Sequence, residues 1–311
     1  MHIDRVLAKS AWLSLDSKAK GPAWPLHKRT PAIATFYSFK GGVGRTTLVG
    51  AIAWQFARQG NKVVVVDLDL EAPGVARMFG ATAHWGALDF LMDHMATGAH
   101  LLPELPNPTD LPSPDRERIH IVPAGRLDWN FVEKLARLDF SSTRLDAENE
   151  PAPALLALRA LLEAIRRQLT PDYILLDARA GLHDVSGLSL FSLSHVNVLV
   201  TRANQQNLDG LEVVLESMRL NKSPREFLCS VVHNLAPPVS RGKARDQEIA
   251  EWRVSRGGHS QSGAGHWIHR ARDKSPEPRD RPRSLRGGNA GQHAPHLLAD
   301  PSMLLYCSRA A

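Results

Sequence analysis

The stretch Phe36–Leu48, "FYSFKGGVGRTTL", decides how the rest of this 311-residue sequence is read. It approximates a phosphate-binding loop of the form G-x-x-x-x-G-K-[ST] with two departures. Phe39 stands where the first glycine belongs, and Arg45 stands where the lysine belongs. A second cation, Lys40, comes just before the glycine pair. Such a loop works because successive backbone N–H groups converge on an anion, and glycine lets the chain approach closely. The helix that follows adds the positive end of its dipole. Here Gly41, Gly42 and Gly44 supply the loop around Val43, Arg45 the cation, and Thr46 the hydroxyl for a divalent metal, with Thr47 beside it.

The flanks meet the context that such a loop requires. Ala32–Phe39 reads as a strand, Thr46–Gln59 has helical spacing, and Gly60-Asn61 is a stop signal. Lys62–Leu68, "KVVVVDL", is a β-branched run of the kind found in strands buried on both faces. Further strands are expected at Arg118–Gly125, Tyr173–Ala178, Asn197–Arg202 and Phe227–Leu235, with helices at Ala154–Leu169 and Leu208–Leu220. Strands alternating with helices predict an α/β fold, a doubly wound and mainly parallel sheet with helices on both faces. Residues 98–117, with five prolines, and residues 141–153 read as excursions outside the sheet.

Carboxylates follow two of these strands. "VVVVDLDLEAPG" ends in Asp67 and Asp69, and "YILLDARAGL" ends in Asp177. The carboxyl ends of parallel strands are where open α/β sheets bind ligands. A carboxylate ending an apolar strand in this class of fold holds Mg²⁺. Asp67 and Asp69 could instead cap the next turn or pair with a cation.

In "KGGVGRTT" the sequence resembles the ParA/MinD group of P-loop ATPases, whose variant loop reads K-G-G-x-G-K-[ST]. The loop matches at every position but Arg45, and the resemblance as a whole covers roughly residues 32–238. The resemblance implies ATP and Mg²⁺ as ligands and a homodimer bridged by nucleotide, with Lys40 reaching the phosphates of the other subunit. It assigns Asp69 to the attacking water and Thr46, Asp67 and Asp177 to the metal and phosphates. It places Gly181 and Arg179 at a switch segment and Asn234, in "VVHNL", at the adenine edge. Arginine keeps the positive charge and binds phosphate through a fork, but it does not mimic the point charge of lysine, so the rate of hydrolysis is left open.

Charge and composition narrow the alternatives. Residues 1–238 carry 25 Lys+Arg and 25 Asp+Glu, and residues 239–311 carry 13 and 7, so the tail holds the whole net charge of +6. A neutral core gives no support for a nucleic-acid partner. No apolar run is long enough to span a membrane. The N-terminus lacks a signal-like apolar segment, and Cys229 and Cys307 are far apart, so a reducing, cytoplasmic setting is expected.

The chain thus divides into an N-terminal extension (1–31), a nucleotide-binding domain (32–238) and a basic, low-complexity tail (239–311) read as disordered. A short helix is expected at Asp246–Trp252. The abrupt change of character suggests a reading-frame shift somewhere after Glu251, which an alternative frame continuing the α/β periodicity would support. The tail histidines His259, His266, His269, His293 and His296 show no metal-ligand spacing. The C-terminus lacks the pattern of a membrane-binding amphipathic helix.

The leading expectation is a Mg-ATP-dependent dimerising switch with an unidentified partner or cargo. The second is a nucleotide-binding regulatory module with little or no turnover. A tyrosine kinase of the same superfamily is disfavoured, because Tyr306 is the tail's one tyrosine, and a metal-cluster reductase because its bridging cysteines are missing.

Overall fold

A computed structural model describes Trp12 and residues 21–138, 153–220, 228–234 and 304–309, the last as backbone. The possible helix at Asp246–Trp252, the tail histidines, the excursion before Pro153 and the suspected frame change all lie outside the described residues.

Seven strands form one sheet: β1 Ala32–Tyr37, β2 Val63–Leu68, β3 Ile119–Val122, β4 Tyr173–Ala178, β5 Val196–Thr201, β6 Leu228–His233 and β7 Leu304–Arg309. Their order is β3-β2-β4-β1-β5-β6-β7, with β1 and β4 at the centre. The first six run parallel, and β7 closes the far edge antiparallel to β6. The helices are α1 Arg45–Arg58, α2 Val75–Met78, α3 Ala87–Thr97, α4 Trp129–Arg137, α5 Pro153–Leu169, α6 Asp184–Ser192 and α7 Gln205–Leu220. This is the expected doubly wound parallel architecture.

Alternation along the buried strands sorts the core into two layers. Val63 and Val65 of β2, Leu175 of β4 and Phe36 of β1 pack under α1 with Leu48, Val49 and Ala53. Val64, Val66, Ile174 and Leu176 face the other way, onto α3, α5, α6 and α7. The continuous valine run at 63–66 is therefore buried on both faces, as parallel strands under two helical layers must be. By the same alternation Asp67 and Asp177, each two residues beyond an α1-facing residue, share the α1 side. They are also register partners on the adjacent strands β2 and β4.

Three elements depart from the sequence-based expectation. β1 stops at Tyr37, so Ser38 and Phe39 belong to the loop. The stretch read as an N-terminal extension contributes two buried tryptophans to the core. Trp12 meets Tyr37 and Phe191 at ring-centroid distances of 5.7 and 5.6 Å and donates its indole N–H to the His183 carbonyl. Trp24 donates to the Pro31 carbonyl and packs near His195. The third is β7, formed within the stretch read as a low-complexity tail.

Truncating Trp12 to alanine is expected to lower stability by about 3 kcal/mol, typical for a buried aromatic. Urea unfolding should show a lower midpoint with an unchanged slope. An unshifted midpoint would remove Trp12 from the core.

Candidate functional site

The loop connecting β1 to α1 lies at the carboxyl end of the central strand. Two of its glycines adopt left-handed backbone, Gly42 at φ 74° and Gly44 at φ 79°. Any other residue would be strained at either position. Gly44 serves as the N-cap of α1 without a side-chain cap, so the first N–H groups of the helix are left for another acceptor.

Two neighbours buttress this loop. A Cβ on Gly44 would come within 2.5 Å of the Asn234 amide nitrogen. That nitrogen donates to the Val43 and Gly44 carbonyls at 2.8 and 3.3 Å. Asn234, assigned to the adenine edge by resemblance, thus has its amide engaged in fixing the loop. On the other side the Phe39 ring lies against the backbone of Gly210, midway along α7, where a Cβ would fall 1.9 Å from the ring. Glycine in a helix interior costs about 1 kcal/mol relative to alanine. Here it makes room for a ring that anchors the start of the loop. Lys40 lies next, its ammonium 5.8 Å from the centroid of that ring. Gly41, Gly42 and Thr47 are exposed, and Val43 is buried beneath them.

The acids converge on Arg45. Its Nε donates to Asp177 Oδ1 at 2.5 Å and a terminal nitrogen donates to Asp69 Oδ2 at 2.9 Å. The guanidinium is thus a two-pronged bridge between the ends of β2 and β4, and Arg45 is 7% exposed. Burial works against its charge, but the two carboxylates hold it protonated above its ordinary value. Thr46 at the start of α1 donates its hydroxyl to Asp177 Oδ2 at 2.6 Å. Burial pushes the Asp177 carboxyl up, opposed by the Arg45 charge and the Thr46 and Arg45 hydrogen bonds.

Asp67 is placed differently. Oδ1 accepts from the Asp69 N–H, and Oδ2 accepts from Gly74 and Val75 at the start of α2. Its two oxygens shape the 69–75 segment from within. Burial and the charge of Asp177 push its carboxyl up to about 7, against the pull of those three donors.

Beyond Asp177 the switch segment turns at Gly181, which has φ 81° and donates its N–H to the Ser38 carbonyl. Arg179 pairs with Glu71, and Glu71 also meets His183 Nε2 at 3.0 Å. The segments following β2 and β4 are therefore linked to each other at their outer rim as well as through Arg45. Neither Phe39 with Gly210 nor Glu71 with His183 was assigned a role from the sequence. The departure at Phe39 from the usual loop glycine is the one feature of the sequence that bears on the first pair.

Two predictions follow from this geometry. An acid with a folded pKa near 7 and an ordinary value near 4 binds its proton more tightly when folded. Its contribution is therefore fully present below pH 4 and is lost as the pH rises toward 7. Asp67→Asn should remove that loss, so the variant gains stability relative to wild type between pH 4 and pH 7 in chemical unfolding. Gly210→Ala should destabilise by about 1–3 kcal/mol by overpacking against Phe39. The same change in a Phe39→Ala background should be neutral or stabilising, and equal effects in both backgrounds would break the pairing.

A ParA family model, described as NUBPL iron-transfer P-loop NTPase, matches residues 30–100. The chain is 31% identical over 150 residues to the chromosome-partitioning ATPase Soj of Thermus thermophilus, covering 46% of this chain and 56% of Soj. It is 49% identical over 43 residues to an iron-sulfur cluster carrier protein of Clostridium perfringens, covering 14% of this chain and 15% of the carrier. The matched regions thus span about half, or much less, of the curated relatives. A ParA family ATPase structure from Chlorobium tepidum shares the fold with a TM-score of 0.51 at 17% identity, covering 71% of this chain and 80% of that one. The chain is thus similar in part of its sequence to ParA-type P-loop NTPases, and it shares their fold.

Proposed function

We propose that the domain binds ATP in the 40–46 loop and acts as a nucleotide-dependent switch that pairs two copies of the chain. The observation that carries this reading is the left-handed glycine loop at the end of β1, opening α1, with the Thr46 hydroxyl 2.6 Å from Asp177. The N–H groups of Gly41 to Gly44 and the first turn of α1 would receive the phosphates. Thr46 and Asp177 are hard oxygen donors side by side, a set that fits the Mg²⁺ accompanying ATP. When bound, that ion would neutralise charge on the phosphate oxygens. Lys40 forms no ion pair among the described residues, which suits a cation reserved for the phosphates of a second copy. Asn234, whose amide nitrogen holds the loop's carbonyls at the end of β6, would meet the base through its side-chain oxygen.

Hydrolysis would join a water oxygen to the terminal phosphorus as the bridging P–O bond breaks, releasing ADP and phosphate. Asp69 is the group we assign to orienting that water. Its carboxylate lies beyond the loop on the 69–74 segment, one hydrogen bond from Arg45. The second reading, a regulatory module with little turnover, is favoured by that same contact, because Arg45 holds the carboxylate that would have to meet the water.

The partner is unidentified. Among the described residues no helix is long and apolar enough to cross a membrane. An iron–sulfur carrier role is less favoured, because the chain's two cysteines, Cys229 and Cys307, lie far apart in sequence and Cys229 is buried. The sparse cysteines and the neutral core fit a cytoplasmic protein acting on another protein.

Phosphate release from ATP separates the two readings. Slow turnover that falls at least tenfold in Asp69→Ala is expected for the switch. Tight ATP binding without turnover in either protein would leave the regulatory module. Light scattering should show a doubled mass with ATP for wild type and not for Lys40→Ala. An unchanged wild-type mass with ATP bound would overturn the dimer.

A further inference from the structure

Every carboxylate oxygen in the acidic cluster already has a donor from the protein. Asp67 accepts from the N–H groups of Asp69, Gly74 and Val75. Asp69 accepts from the Ala72 N–H on one oxygen and from Arg45 on the other. Asp177 accepts from Arg45 on one and from Thr46 on the other. The charge of the cluster is compensated by a single guanidinium, buried with Asp69 and Asp177 and almost inaccessible to solvent. Among the described residues no group of three His, Cys, Asp or Glu stands open for a metal ion.

A lysine ammonium is a point charge on a single stem and meets one carboxylate well. The planar arginine fork meets two at once, here one from each of two neighbouring strands. We propose that Arg45 is the site's resident cation, standing in for a divalent metal on Asp177, and that the metal gains Asp177 only when phosphate groups draw Arg45 off the carboxylates. Arg45 would then set the cation requirement of the site and couple metal entry to nucleotide entry. The two cations exclude one another for a plain reason. A divalent ion on Asp177 would lie beside a guanidinium hydrogen-bonded to the same carboxylate, and like charges at such range in a dry site repel strongly. Both contacts hold the guanidinium of Arg45, itself 7% exposed, on the carboxylates.

The reading in which ATP occupies this loop is needed only for what displaces Arg45. The test uses Mg²⁺ alone, so its failure and a failure to bind nucleotide are separate results. Thermal unfolding of the full chain is measured with EDTA and with Mg²⁺ at roughly 10 mM, a concentration suited to a weak carboxylate site. Wild type should show no shift of its midpoint with metal. Arg45→Ala leaves two buried carboxylates without their cation and should melt lower by roughly 10 °C. Mg²⁺ should restore at least half of that loss, and the restoration should vanish in Arg45→Ala/Asp177→Asn. If Arg45→Ala does not fold, Arg45→Lys carries the test, and a midpoint that rises with Mg²⁺ only in this variant supports the proposal. A wild-type midpoint that rises with Mg²⁺ as much as that of the variant, or a variant indifferent to the metal, would overturn it.

Discussion

Placing Asp177 and Asp67 opposite one another on adjacent strands, with no solvent to screen them, is the constraint around which this site is arranged. Two buried carboxylates in register repel unless something positive is held between or beside them. The chain meets this demand twice. Asp67 is surrounded by three backbone N–H groups and has its carboxyl pushed up to about 7, so near neutral pH it carries much less than a full charge. Asp177 receives Arg45 and Thr46 from the start of α1. The glycine loop, the entry of α1 and the sharp turn into α2 all depend on these contacts.

Most of this frame was legible in the sequence, because its determinants are local. A β-branched run buried on both faces needs only Val63–Val66 to be recognised. The loop needs only its glycines and the flanking strand and helix. What escaped reading depends on three-dimensional neighbours. α6 is buried along its whole length, so "DVSGLSLFS" offers no amphipathic period to detect. Trp12 lies in a polar stretch and is drawn into the core by Tyr37 and Phe191, residues that no spacing argument connects to it. β7 is specified by an open edge at β6 rather than by any pattern of its own.

The site residues divide along the same line. The loop motif singled out Arg45 and Thr46, and the strand ends singled out Asp69 and Asp177. Which atoms they would engage was not written in the spacing. The pairing of Arg45 with both acids requires the β2–β4 register and the burial of the guanidinium. The position of Asn234 against the loop carbonyls requires β6 to end level with the loop. Resemblance supplies ligands that these residues serve elsewhere, whereas the geometry describes what they hold in place here.

The contact between Phe39 and Gly210 bears on how such a loop changes over time. A ring at 39 occupies the space of a side chain at 210, two positions separated by most of the domain's sequence. Neither can be altered freely while the other stays fixed. A variant with glycine at 39 would release 210 to hold alanine or something larger, and α7 would become a better helix. The two positions are therefore expected to drift as a pair, and across sequences with this loop their substitution history should read as one character rather than two.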